Sequence, residues 1–393
     1  MKRLRRVVIG LMGLGLAQTA QAQISADSLT AFNQAVETGD AAAIEMASTN
    51  LMNDAIANPD DPDALIAAYE AALKLCDIDC EAALPGAEFA LGFPATGQHP
   101  IMAERELLFA FADFSRRATG STRTRLEAAL ANMQDPTRLS ARAFLPLYSD
   151  YAGNFRMSEA ARVSGMAVEH LRPVRSSVPQ YYLHALESYA TTGFIDVKSR
   201  ESHETLVRWN AEMKQMRSQV HPDERPDWLE SVYWRSEAWV GTANVYYQSL
   251  TTQSGSRGFD MARTSSLSPS EVRLIGLEYP VNMIHFRTRQ QMGEEFLLPH
   301  CEGELVMDGE LDWPSRARNN GTVGYVIVGF DLDNEGRARN PEVLASVPPG
   351  VYDDTSLDRI RDWYWEVDEG VDRSSCRMSA YDLTSHHSFR FDR

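Results

Sequence analysis

Four cysteines and two adjacent pairs containing histidine are the most reactive groups in this 393-residue chain: Cys76, Cys80, Cys301 and Cys376, with His300-Cys301 and His386-His387. A metal centre needs ligands that converge. Neighbours on a strand point to opposite faces, and neither pair repeats a CxxC or HExxH spacing. No metal and no cofactor is therefore expected. His170, His184, His203 and His221 are scattered over helical segments and read as surface or satisfied core residues. A hydrolase built on Cys301 and a histidine is the catalytic alternative. Ser254-Gly255-Ser256-Arg257-Gly258 fails the G-x-S-x-G pattern of a nucleophile elbow, and no glycine-rich phosphate loop follows a strand. Carboxylates are abundant enough to read as a solvated face, so the chain is read as non-enzymatic.

What the cysteines do depends on compartment. Lys2, Arg3, Arg5 and Arg6 form a basic start, residues 7–17 a short apolar run, and Ala20-Gln21-Ala22 a small-residue cleavage site, which predicts a signal peptide over 1–22 and a mature chain from Gln23. An uncleaved signal anchor is the alternative, but the run is well short of the roughly 20 residues that span a bilayer. No later stretch is long and apolar enough to be a membrane helix, and no lipid anchor is expected. An even number of cysteines in an exported chain favours disulfides. Three pairings are open. The domain boundary favours Cys76–Cys80, across Asp77-Ile78-Asp79, with Cys301–Cys376.

The formal charge is −17. Removing the leader's four basic residues takes −17 to −21. Nucleic acid and anionic membrane both demand basic patches, so neither is expected as a partner.

The elements fall into two periodicities. Residues 25–250 are helical by pattern. Stretches such as 63–73 place apolar side chains at i, i+3 and i+4, and Asp61-Pro62 reads as N-cap and first helical position. Aromatic-rich helices end near Phe114, Tyr151 and Tyr189, at intervals of roughly 37 residues, each followed by a glycine turn and another helix, at about 122–133, 158–171 and 199–216. Leu147, Tyr151-Ala152-Gly153-Asn154-Phe155, Ala160-Ala161 and Ala167 resemble a degenerate tetratricopeptide repeat, with a non-repeating helical domain as the alternative. A long helix over 226–250 carries Trp228, Tyr233, Trp234, Trp239, Tyr246 and Tyr247. It reads as core, as a cap on the array, or as a surface that packs against the region C-terminal to it. Residues 251–270 read as a linker, with separate cores on either side.

The period then changes to two. Residues 322–333 read as a strand with Val323, Tyr325, Ile327 and Gly329 on one face and Gly324, Val326, Val328, Phe330 and Leu332 on the other. Asn334-Glu335-Gly336 is a hairpin turn. A second strand over 337–347 is weakened by Pro341 and ends at Pro348-Pro349-Gly350. A helix comes next, from Asp353 to about Trp365, and 385–391 reads as a last strand. The fold class is therefore α+β and multidomain: a helical repeat-like array at 23–250 and a small antiparallel-sheet domain at 271–393, with its core at 311–393.

That order resembles the TonB C-terminal domain. Trp313-Pro314 with Ala317, the strand from Gly321 to Phe330, the turn Asp333-Asn334-Glu335-Gly336-Arg337, Pro348-Pro349-Gly350-Val351-Tyr352-Asp353 and Trp363-Tyr364-Trp365 carry the likeness. Departures are Val367, where the family usually has proline, and the long segment at 368–382 containing Cys376. The family's usual membrane anchor and proline-rich spacer are not expected here, which leaves energy transduction open. The resemblance implies a periplasmic protein that pairs its final strand with an extended peptide of an outer-membrane receptor or another envelope protein. By position that edge is His386, His387, Ser388, Phe389, Arg390 and Phe391. The alternative is a periplasmic scaffold whose helical array binds partners while the sheet domain self-associates as a homodimer.

Overall fold

A computed structural model describes residues 23–92, 104–252, 298–308 and 312–389. The leader at 1–22, the linker beyond Thr252, and Arg390 and Phe391 lie outside the described residues. The chain divides into two compact units, Met1–Leu147 and Tyr148–Arg393.

The first unit contains α1 (Ala26–Thr38), α2 (Ala41–Ala57), α3 (Ala64–Cys76), α4 (Leu84–Gly92), α5 (Arg105–Arg116) and α6 (Gly120–Ala131), and the division falls within α7 (Arg138–Gly153). Side-chain caps open several of them. Asp40 accepts from the Ala43 amide at 2.8 Å, and Thr119 and Thr122 form a reciprocal capping box. The small residues Ala64, Ala68, Ala71 and Ala72 of α3 are fully buried and allow its neighbours to approach closely. The expected N-cap at Asp61 is corrected. Asp63 stands at the cap of α3, while the Asp61 carboxylate accepts from the amides of Asp63 (2.8 Å) and Ile24 (2.9 Å). The local turn and a long-range contact together outcompete a helix start there. Cys76 and Cys80 are bonded at the end of α3.

In the second unit α8 (Met157–Leu171), α9 (Pro179–Asp196), α10 (Arg200–Ser218) and α11 (Asp227–Thr252) pack in succession. α8, α10 and α11 lie close to their expected bounds, whereas α9, expected to end near Tyr189 with a turn at Gly193, runs through both to Asp196. Polar side chains link α10 to α11. His203 Nε2 lies 3.0 Å from Asn244 Oδ1, and the Asn210 amide donates to Ser236 Oγ at 3.0 Å.

The sheet of this unit has order β3-β2-β5, all antiparallel, formed by β2 (Gly324–Leu332), β3 (Ala338–Val347) and β5 (Ala380–Phe389). β1 (Gly303–Val306) and β4 (Tyr364–Val367) make a separate antiparallel pair. The short α12 (Ser315–Asn319) precedes β2, and α13 (Asp353–Arg361) lies between β3 and β4. β1, β4 and α12 are not expected from the sequence. Gly336 takes φ +76° in the hairpin turn, a conformation glycine adopts without a Cβ clash.

The helix expected to reach Trp365 stops at Arg361. Trp363 instead enters the core edge-on to Phe330, with ring centroids 5.7 Å apart. Its carbonyl accepts from the Ala338 amide at 2.9 Å, and the Trp365 amide donates to Gly336 at 2.7 Å. Pairing with the start of β3 has replaced helical hydrogen bonds over three successive aromatics, residues that suit a strand.

The alternation of β2 places its two sets of side chains in two cores, with the faces assigned as expected. Val326, Val328, Phe330 and Leu332 pack with Tyr352, Ile360, Trp363, Leu383 and Phe389. Tyr325 and Ile327, with Ala345 and Val347 of β3, pack with Trp234, Ala238 and Val245 of α11. The expectation of separate cores on either side of the linker is thereby corrected. The aromatic helix α11 packs against the sheet beyond the linker, because the second face of the sheet is as apolar as the first.

Candidate functional site: the margin strand β5

β5 pairs only with β2 among the described strands, so one of its edges carries backbone N–H and C=O groups with no neighbouring strand. β3 is the opposite margin, and its pairing with β2 is interrupted twice, between Ile327 and Val328 and between Gly329 and Asp331. It also contains Pro341, and Asn340 at φ +50°. Bulges, proline and a left-handed residue all blunt an edge. β5 has one such interruption, between Phe330 and Leu332, with Asp382 at φ +52°, and beyond it keeps an unbroken register from Leu383, opposite Phe330, to Phe389, opposite Gly324.

The side chains expected to form the edge do not form a shared surface. His386 lies on the face toward α11, where its Nδ1 and the Tyr325 hydroxyl share a hydrogen bond of 3.0 Å. His387 lies on the opposite face, 3% exposed, with its ring 5.6 Å from that of Trp363. Burial first, then the Arg359 guanidinium and then His386, push its pKa down to about 3. It stays neutral because charging it would cost the lost hydration of an imidazolium. Neither of its ring nitrogens makes a hydrogen bond among the described residues. Ser388 is half-buried opposite Tyr325. Phe389 is 2% exposed and stacks on Tyr352, with centroids 3.9 Å apart and planes 18° apart. The strand's side chains thus serve the two cores, and its backbone is what remains for recognition.

Cys301 and Cys376 are bonded, with Cα atoms 4.9 Å apart. Around the bond, the Cys301 amide donates to the Arg377 carbonyl at 2.8 Å, and the Arg377 amide donates to Pro299 at 2.9 Å. The Trp365 indole donates to the Cys301 carbonyl at 3.2 Å. The segment leading into β5 is therefore fastened to β1 and β4. His300 stands edge-on to Trp365 at 4.5 Å, a packing role.

Two features of the second unit were not found by sequence reasoning. One is the place where α11 meets the sheet: packing against the C-terminal region was one of three readings of this helix, but the meeting of Gly241 with Tyr325 had no signal beyond a glycine within a helix. The other is a groove of about 630 Å³ between α8, α9 and α10. Arg162, Glu169, Tyr189, Glu201, Glu204 and Arg208 line it. Two of these carboxylates are held by their own helices or turns, Glu169 by Arg172 at 2.7 Å and Glu204 by Arg200 at 2.8 Å. Among the described residues no helix is long and apolar enough to cross a membrane, and no cluster of three or more His, Cys, Asp or Glu could hold a metal ion.

Residues 309–375 match the family described as Gram-negative bacterial TonB protein C-terminal. The match runs from the entry to α12 to the loop before β5, so it contains β2, β3, α13 and β4, and the margin strand lies just beyond it. No curated protein sequence matches the chain.

Proposed function

We propose that this protein is an exported, non-catalytic adaptor of the periplasm that binds an extended peptide of an envelope protein, such as a TonB-dependent receptor, by strand addition to β5. The observation that carries this reading is the marginal position of β5 and its regular register over 383–389, set against the edge of β3, which is interrupted twice and contains Pro341. An added strand would satisfy the backbone groups of β5 along that edge. Main-chain pairing supplies affinity in this mode, and side-chain pockets supply selectivity.

The test is amide exchange of the mature chain purified from periplasm, with and without detergent-solubilised outer-membrane protein. Slower exchange over 384–389, with β3 unchanged, is the expected result, and the purified chain should begin at Gln23. Ser388→Pro and Phe389→Pro, made separately, each remove one N–H. The one whose N–H faces outward should abolish the protection. Phe389→Pro also loses a ring stacked on Tyr352, so only a variant with native circular dichroism counts. No protection at β5 in the presence of outer-membrane protein refutes the reading.

A second reading is a scaffold whose helices bind the partner while the sheet domain self-associates. The groove between α8, α9 and α10 favours it. It predicts protection at α8 and α10 with outer-membrane protein, and protection at the sheet that rises with the concentration of this chain alone.

A further inference from the structure

α11 lies against all three strands of the sheet, and one side chain of the central strand joins it to a polar group of the margin strand. The helix comes close to the sheet at Gly241, where a Cβ would lie 2.5 Å from the Tyr325 ring. A glycine inside a helix is disfavoured relative to alanine, and here its place is taken up by the ring. From that contact Tyr325 extends across the face to β5. Its hydroxyl meets His386 Nδ1 at 3.0 Å, and the two rings stand edge-on at 82° with centroids 5.7 Å apart. Tyr325 pairs with Ser388 and His386 with Ile327, so the two side chains are diagonal neighbours on the α11 face. α11 in turn is held on α10 by the His203–Asn244 and Asn210–Ser236 hydrogen bonds.

We infer that α11 sets the position of the margin strand through the series Gly241, Tyr325 and His386, which makes Tyr325 a positioning residue for the β5 edge. Its consequence for peptide capture rests on the strand-addition reading; the positioning itself is measured without a peptide. A β5 strand held at a fixed distance from β2 keeps its outer groups in line for an incoming strand. A strand released from Tyr325 retains its pairing to β2 and loses its hydrogen-bonded tie to the residue that α11 packs on.

Amide exchange of the full mature chain tests this. Tyr325→Phe keeps the ring and removes only the hydroxyl. It should speed exchange over 384–389 by roughly five- to tenfold, the factor for one hydrogen bond, while 343–347 and α13 keep parental rates. His386→Leu should behave alike, and His386→Asn, which can place a polar atom near the position of Nδ1, should restore slow exchange. The double variant Tyr325→Phe/His386→Leu should be no faster than either single one, because both break the same contact. Gly241→Ala should displace the ring and loosen β5. Gly193→Ala, where a Cβ meets nothing within 4 Å, should not. Parental exchange at 384–389 in both Tyr325→Phe and Gly241→Ala overturns the inference. So does uniform acceleration across β3 and α13, which assigns Tyr325 to general stability, and so do multiplicative effects in the double variant. If outer-membrane protein fails to protect β5 while Tyr325→Phe still loosens it, the peptide reading falls and the positioning stands.

Discussion

At the scale of the residue, His387 carries a cost that acid should expose. Its pKa of about 3 in the folded chain lies below the ordinary value of 6.5. Above pH 6.5 the side chain is neutral whether folded or unfolded, and its contribution to stability is complete. Between pH 6.5 and 3 the unfolded chain takes up a proton that the folded chain refuses, so stability falls with pH, by up to about 1.4 kcal/mol per unit for one proton. His300 is lowered in the same direction, chiefly by burial, and adds to the slope. His387→Leu should therefore show a shallower loss of denaturant midpoint between pH 6.5 and 5 than the parent. Identical slopes would mean that His387 is hydrated or charged in solution. Phe389 illustrates a second point at this scale. Its strand position reads as part of a binding edge, but its ring is core, so Phe389→Ala should cost about 3–5 kcal/mol of stability whatever the strand binds.

At the scale of the element, the Cys301–Cys376 bond fastens the approach to β5. It closes a separation of 75 residues, worth about 4 kcal/mol by chain-entropy reasoning. Cys301→Ser/Cys376→Ser should lower the unfolding midpoint of the second unit and speed exchange in β1, β4 and 372–380. Because α11 shares a core with the sheet, the loosening should extend to α11, while exchange in α1–α6 remains at the parental rate. Cys76–Cys80 has a separation of only 4, and its removal should act locally at the end of α3. A Cys301/Cys376 variant with the parental midpoint would leave the bond without a stabilising role.

At the scale of the whole molecule, the sheet domain is not bounded by the family match. Tyr325, Ile327, Ala345 and Val347 are buried against Trp234, Ala238 and Val245, and a fragment beginning at residue 298 would present that face to water. Exposed apolar surface of this kind drives association. The 298–393 fragment should therefore aggregate or bind a hydrophobic dye, whereas 148–393, which keeps α8–α11, should be monomeric with native near-ultraviolet circular dichroism. A monomeric, well-packed 298–393 fragment would show that the α11 contact is dispensable. The same dependence limits the modularity of an adaptor, since a helical segment that binds one partner and a strand that binds another would share a core.

Local physics in the sequence was enough to determine much of this protein. A period of two with a glycine turn determines β2, its two faces and the hairpin to β3, since both arise from backbone geometry over a few residues. Apolar spacing and cap residues determine α8, α10 and α11 to within one or two positions. An even cysteine count behind an expected leader favoured disulfides but left three pairings open, and the change of period between the two regions favoured Cys76–Cys80 and Cys301–Cys376, the pairs that are bonded. The tertiary structure decided what covers each face. Trp363-Tyr364-Trp365 satisfies a helical or a strand pattern, and the choice went to pairing with β3 because the freed hydrogen bonds and the Trp363 ring both found partners there. His386, His387 and Phe389 read as an edge because strand position is local information. Their burial is not, since it depends on α11 more than a hundred residues earlier in the chain and on Tyr352, Trp363 and Arg359 packed from the other side.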